Sequence, residues 1–189
     1  VRAVSAGFQG QLRIALSEGI SQARLTALLS CCRVEEPDTE IRLYEVPLSQ
    51  QIRGLEADLY DAGFSHSSEV GETLLAIPVW NDPMVVAVPS RHPLLAHKTL
   101  PLDEVLRYPL VLCDPQVCEG CSRQRERVLR TVDAQPTVAE YVTTHSLMLA
   151  LVAAGYGVGF SSAAHLAGCH QADVVGRPLA DETASLTTY

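Results

Sequence analysis

The sequence predicts an α/β protein made of two α/β units with a cleft between them. Alternation of polar and apolar residues gives way repeatedly to helical periodicity along the chain. One β-α-β-α-β series is complete by Phe64, and a second alternation of strands and helices runs from Leu74 to Ser161. With 47% hydrophobic and 19% charged residues, the 189-residue chain can bury one substantial core or two modest ones.

The first unit opens with Gly10 to Leu16, whose alternation reads as a strand. Ser17-Glu18-Gly19 breaks it before the apolar-periodic run Ile20 to Cys32, a helix. Glu40 to Val46 reads as the second strand, Pro47-Leu48-Ser49 as a helix start, Gln50 to Ala57 as the helix, and Leu59 to Phe64 as the third strand. Two such crossovers imply a parallel sheet. In the second unit, strands are expected at Leu74 to Val79 and Met84 to Val88, with Asn81-Asp82-Pro83 as a turn between them. Leu110 to Cys113 follows as a strand, Ser122 to Val132 as a helix, Thr137 to Val142 as a strand and Ser146 to Ala154 as a helix that Gly155 caps in a left-handed conformation. Strands at Gly157 to Ser161, Val174 to Leu179 and Ser185 to Tyr189 complete the order, and the abrupt stop reads as a trimmed chain.

Composition narrows the function. No apolar run approaches the ~20 residues that span a bilayer, and the first residues lack the apolar core of a signal peptide, so a cytoplasmic protein with no membrane partner is expected. The net charge of −8, with Lys98 alone among the lysines, leaves no basic stripe to neutralise phosphates. Six cysteines in a chain large enough to form its own core read as reduced thiols rather than a disulfide framework. There is no Gly-rich phosphate loop, no His-Glu-x-x-His helix and no Gly-x-Ser-x-Gly elbow. An enzyme is not expected, and no cofactor is implied.

Several stretches, in order, resemble one family. Gly10-Gln11-Leu12-Arg13-Ile14, Asp61-Ala62-Gly63-Phe64, Pro78 to Val86 followed by Arg91-His92-Pro93-Leu94, and Leu151-Val152-Ala153-Ala154-Gly155-Tyr156-Gly157 are similar to segments of the effector-binding domain of LysR-type transcription regulators. The resemblance implies two Rossmann-like lobes of the periplasmic-binding-protein type II-like fold with an interlobe cleft. Residues 1–77 with 176–189 would form the first lobe and 78–175 the second. It also implies a small-molecule effector, a homodimer or homotetramer, and DNA contact only through a winged helix upstream of Val1, joined by a long helix whose tail is Val1 to Ala6.

Ligands of open α/β sheets bind beyond the carboxyl ends of the strands. Ser17, Glu18 and Gly19 occupy such a turn, where a helix N-terminus favours an anion, although Glu18 opposes a carboxylate and Ser17 has capping as its plain alternative. The resemblance makes this loop an effector contact. Pro47, Leu48 and Ser49 form the matching loop after the second strand, with capping by Ser49 equally open. Phe64 is a candidate floor or plain core. Thr144 and His145 supply a hydroxyl and an imidazole from the other lobe, again at a capping position.

The most distinctive segment is Cys113-Asp114-Pro115-Gln116-Val117-Cys118-Glu119-Gly120-Cys121. Pro115 is placed among the effector contacts. Thiols at a helix start near Arg123, Arg125 and Arg127 gain thiolate character, so Cys113, Cys118 and Cys121 form a possible redox set, with Cys118–Cys121 as the pair to test. The resemblance adds that the family's peroxide sensor carries its reactive cysteine in this region. A metal is not expected, because the three thiols have only His165, Cys169 or His170 as a distant fourth ligand. The leading expectation is therefore an effector-sensing domain. Its alternatives are a thiol-based redox sensor of the same family, a solute-binding protein, and an enzyme using the cysteine loop.

Overall fold

A computed structural model describes residues 10–169 and 171–189. Val1 to Ala6 and His170 lie outside the described residues. In the first sheet β1 (Gln11–Leu16) is central, parallel to β2 (Glu40–Glu45) on one side and to β3 (Ala62–Phe64) on the other. The two parallel connections are the helices α1 (Gln22–Glu35) and α2 (Leu48–Glu56), as parallel pairing requires. Ile14, Ala15 and Leu16 are buried at the carboxyl end of β1, which fixes the height at which the following loop emerges.

The chain then crosses into a second sheet. β4 (Trp80–Pro89) pairs antiparallel with β9 (Ser185–Thr188) through its first half and with β7 (Gly159–Ser162) and β8 (Val174–Pro178) through its second. β5 (Leu110–Cys113) and β6 (Val138–Val142) are parallel, and a bridge from Leu110 to Val158 joins them to the approach to β7. The intervening helices are α3 (Leu102–Val105), α4 (Glu119–Leu129), α5 (His145–Ala153) and α6 (Ala163–Gly168). Val86, Leu100, Leu110, Val111, Val152 and Val158 are fully buried in two clusters here, each such side chain stabilising the fold by roughly 1.5–3 kcal/mol. By contrast, α1 buries no residue.

Three expectations are corrected. Asn81-Asp82-Pro83 is not a turn but part of β4, because pairing with β9 overrides the local signal and the buried Asp82 carboxylate accepts the Arg24 guanidinium at 2.6 Å. Leu74 to Val79 forms no strand: Leu75 and Ile77 are exposed, and only Val79 donates across, to the Thr188 carbonyl. The third strand is three residues long, since Leu59 and Tyr60 form the turn that leaves α2, donating to the Gly54 carbonyl. Gly155 does take a positive φ, 83°. The short helices α3 and α6 carry too few turns to register as periodicity.

Candidate functional site

The carboxyl ends of β1, β5, β6 and β7 face one another across the gap between the sheets, and each leads into a loop or helix start. Two spaces result. An open cleft of about 350 Å3 lies between Ser17-Glu18-Gly19 on one side and Thr144-His145-Ser146 on the other. Deeper in, a chamber of about 30 Å3 is lined by three cysteines, Arg125 and Ser161. Glu18, Gly19, His145 and His165 line both.

A hydrogen bond spans the open cleft. The His145 backbone N–H, first in α5, donates to Glu18 Oε1 at 2.7 Å. Glu18 thus places a carboxylate at a helix N-terminus, where free N–H groups and the macrodipole favour negative charge. Burial nevertheless pushes its carboxyl up, and the neighbouring Glu45 adds to that, while the bond from His145 works the other way. Thr144 caps the same helix, its hydroxyl oxygen accepting from Leu147 N at 3.2 Å. The His145 imidazole is buried, which drives its pKa down to about 3 with help from the charges of His165 and His66. A neutral ring results, sharing a hydrogen bond between Nε2 and Ser161 Oγ at 3.0 Å.

On the chamber's other wall, α4 presents Cys121 and Arg125 one turn apart. Arg125 is 7% exposed, its Nε has no partner, and no carboxylate pairs with it among the described residues. Arg123 instead pairs with Glu69 and Glu119, and Arg130 pairs with Glu126 at 3.6 Å, at the i,i+4 spacing that lets side chains on one helix face meet. The position of α4 is set by contact with the loop after β3: a Cβ on Gly120 would lie 2.6 Å from the His66 carbonyl carbon.

His66, on that loop, is buried where the loop meets α4. Its Nδ1 lies 3.1 Å from the Thr187 carbonyl oxygen and its Nε2 3.2 Å from that of Gly19. A neutral imidazole donates through one nitrogen only, so two carbonyl partners select the imidazolium. Burial alone would lower its pKa, but the charge and hydrogen bond of Cys121 together with these two carbonyls raise it to about 9. Gly19 holds φ at 91° here, with Cys121 Sγ 3.0 Å from where its Cβ would stand.

The structure therefore brings Ser17, Glu18, Gly19, Thr144 and His145 together at the cleft, and Cys113, Cys118 and Cys121 at the chamber. It does not bring the others there. Leu48 and Phe64 line a separate apolar pocket of about 330 Å3 in the first lobe, where Phe64 stacks on Trp80 at 5.1 Å. Pro47 and Ser49 stand at the start of α2 and do not line the cleft; Glu45, at the end of β2, reaches it instead. Pro115 is exposed at the tip of the turn that Asp114 Oδ1 closes by accepting from Gln116 N. Ser17 does not cap α1, whose N-cap is Ser21. All six cysteines are free thiols, and among the described residues no three His, Cys, Asp or Glu side chains are grouped to hold a metal ion. Sequence reasoning missed His66 and Ser161 as site residues, although the polar run Ser65 to Ser68 follows a strand end by the same rule that found the other loops.

A family model described as LysR substrate binding domain matches residues 5–189. The chain belongs to this family. Among curated relatives, the uncharacterized HTH-type transcriptional regulator YnfL of Escherichia coli (strain K12) is 27% identical over 153 residues, covering 80% of this chain and 52% of that protein. The hydrogen peroxide-inducible genes activator of Haemophilus influenzae is 24% identical over 151 residues, covering 80% and 50%. This LysR-type domain thus spans about half the length of these relatives. Among solved structures, CbnR, a LysR family transcriptional regulator, superposes with a TM-score of 0.85 at 18% identity over 95% of this chain and 62% of that one. The BenM effector binding domain with its effector benzoate gives 0.74 at 21% identity, over 96% and 82%. The fold is the two-lobed, periplasmic-binding-protein type II-like one. Among the described residues, no helix is long and apolar enough to cross a membrane.

Proposed function

We propose that this domain senses a small anionic effector in its interlobe cleft and so regulates DNA binding by a full-length transcription regulator. The observation that carries this is the cleft's construction: loops from both lobes meet at a helix N-terminus already holding a carboxylate, beside a buried guanidinium that has none. An effector carboxylate has two places to bind. It can displace Glu18 from α5 in the open cleft, or, as the lobes part and the small chamber behind Glu18 and His145 opens into the cleft, take the Arg125 guanidinium. Either event alters the contacts between the lobes, and a ligand shifts such an equilibrium by the difference in its affinity for the two states. The relatives' names, transcriptional regulator and activator, and the benzoate of the BenM domain support the class of function and of ligand.

In this reading the protein works in the cytoplasm as a homodimer or homotetramer, contacts DNA through a separate N-terminal domain, and is not an enzyme. Residues 1–77 with 176–189 move as one lobe and 78–175 as the other, with β4 and the segment from β8 to β9 as the two crossings. The test is a thermal-shift panel of acetate, benzoate, succinate and salicylate, because binding to the native state raises the melting temperature. At least one should raise it in the parent domain and fail to do so in Arg125→Met. A panel without effect, or equal shifts in both proteins, would contradict the reading.

A further inference from the structure

The open cleft and the chamber behind it carry opposite charge. Glu18 and Glu45 both line the cleft, and among the described residues no lysine or arginine does. Strand register brings the two carboxylates to the same end of the sheet: β1 and β2 run parallel with Leu16 beside Glu45, and Glu18 stands just beyond Leu16. His145 and His165, which also line the cleft, add no positive charge near neutral pH, because burial lowers the first to about 3 and lowers the second as well. The chamber is the reverse. Its arginine, Arg125, is 7% exposed with Nε unpartnered. Glu18 lines both spaces, so a carboxylate that takes Arg125 comes to lie near the Glu18 carboxyl. Two carboxylates brought together repel, or one of them must hold a proton.

We propose that the effector is a neutral α-amino acid, its carboxylate on Arg125 in the chamber and its ammonium against Glu18 and Glu45 at the cleft. This rests on the effector reading above and names the ligand class for that site. Size assigns the two ends. About 10–15 Å3 holds one water, so a chamber of about 30 Å3 takes two oxygen-sized groups, those of a single carboxylate. Everything else in the ligand stays in the cleft of about 350 Å3. In an α-amino acid the ammonium sits on the carbon next to the carboxylate, and so emerges at Glu18, the wall that the two spaces share. An ammonium has three N–H donors and no acceptor. Glu18 Oε1 already accepts the His145 N–H, which leaves Oε2 and the Glu45 carboxylate as its partners, in the stronger, charge-assisted kind of hydrogen bond.

The ammonium also decides between the two places open to a carboxylate. Displacing Glu18 from α5 would remove the ammonium's own partner, whereas binding Arg125 keeps it. A positive charge beside Glu18 counters the effect of burial and favours the ionised form, which is the form the α5 N-terminus attracts. Selectivity follows from what the lining lacks. A second carboxylate on the ligand would meet Glu18 and Glu45 with no counter-charge, so dicarboxylates are rejected by repulsion. A simple amine leaves Arg125 without its anion. Leu16, Ile20 and Leu25 line the rest of the cleft and suit an uncharged side chain.

The experiment is calorimetry on the domain with size-matched pairs that differ in the ammonium: glycine and acetate, L-leucine and isocaproate, L-phenylalanine and hydrocinnamate. In at least one pair the amino acid should bind at least roughly tenfold more tightly than its partner, and L-aspartate at least roughly tenfold more weakly than that amino acid. Glu45 is exposed, so Glu45→Gln should fold as the parent does. It should narrow the gap within the pair at least roughly threefold while the acid without an ammonium binds as before or more tightly. Glu18→Gln keeps an oxygen to accept the His145 N–H and should narrow the gap likewise. Equal or tighter binding of the acid without an ammonium in every pair would overturn the proposal and leave the carboxylate reading standing. A gap unchanged in both glutamine variants, or L-aspartate binding as tightly as the best neutral amino acid, would overturn it as well. Binding of no compound in any pair would contradict the proposal and the carboxylate reading together.

Discussion

A guanidinium buried to 7% exposure without a carboxylate partner costs folding free energy, because its hydration is lost and little replaces it. Arg125→Met keeps the volume and removes the charge. It should leave the melting temperature unchanged or raise it by about 2–4 °C, while weakening carboxylate binding roughly tenfold. Thermal melts and calorimetry on the same variant check both halves, and a destabilised Arg125→Met would mean the side chain serves packing instead. The two buried histidines set opposite pH limbs. His66, raised to about 9 from 6.5, contributes stability that is complete below about pH 6.5 and lost as pH rises through 9. His145, lowered to about 3 from 6.5, contributes stability that is complete above about pH 6.5 and lost as pH falls toward 3. The melting temperature should therefore peak near neutrality, with His66→Gln flattening the alkaline limb and His145→Gln the acid one. Of these residues, His145 was named in the sequence from a helix start, whereas Arg125 was read only as one of three charges near the thiols and not as a buried anion site. His66 was not named, because its two carbonyl partners lie 47 and 121 residues away.

Elements with their own periodicity and caps were legible, since local sequence decides them. The α5 start is one: Thr144 caps it as its position indicates, and Thr144→Ala should cost about 1 kcal/mol, a fall of about 2–4 °C in melting temperature. β4 was only half legible. Its first residues carry turn chemistry and become strand only because β9, a hundred residues later, pairs with them. The start of α4 depends on a contact equally remote. Gly120→Ala would push a methyl against the His66 backbone, so helix and loop must separate. That variant should be destabilised and should lose the alkaline limb attributed to His66, which melts across pH would show. A Gly120→Ala domain with an unchanged pH profile would argue that α4 does not hold His66 in place.

For the whole molecule, the cleft was legible as a rule of α/β sheets, and the loops after β1 and before α5 do meet there. The loop after β2 does not, because Leu48 is drawn into the first lobe's apolar pocket, and nothing in the local sequence distinguishes the two destinations. That pocket, about 330 Å3 and lined by Ile52, Leu55 and Leu74 among others, is the physical rival to the cleft as an effector site. The two are separated most directly by calorimetry with the carboxylate that gives the largest thermal shift, measured on the parent domain, Arg125→Met and Ile52→Glu. The cleft account predicts at least roughly tenfold weaker binding in Arg125→Met and unchanged affinity in Ile52→Glu. Retained affinity in Arg125→Met with loss in Ile52→Glu would contradict it.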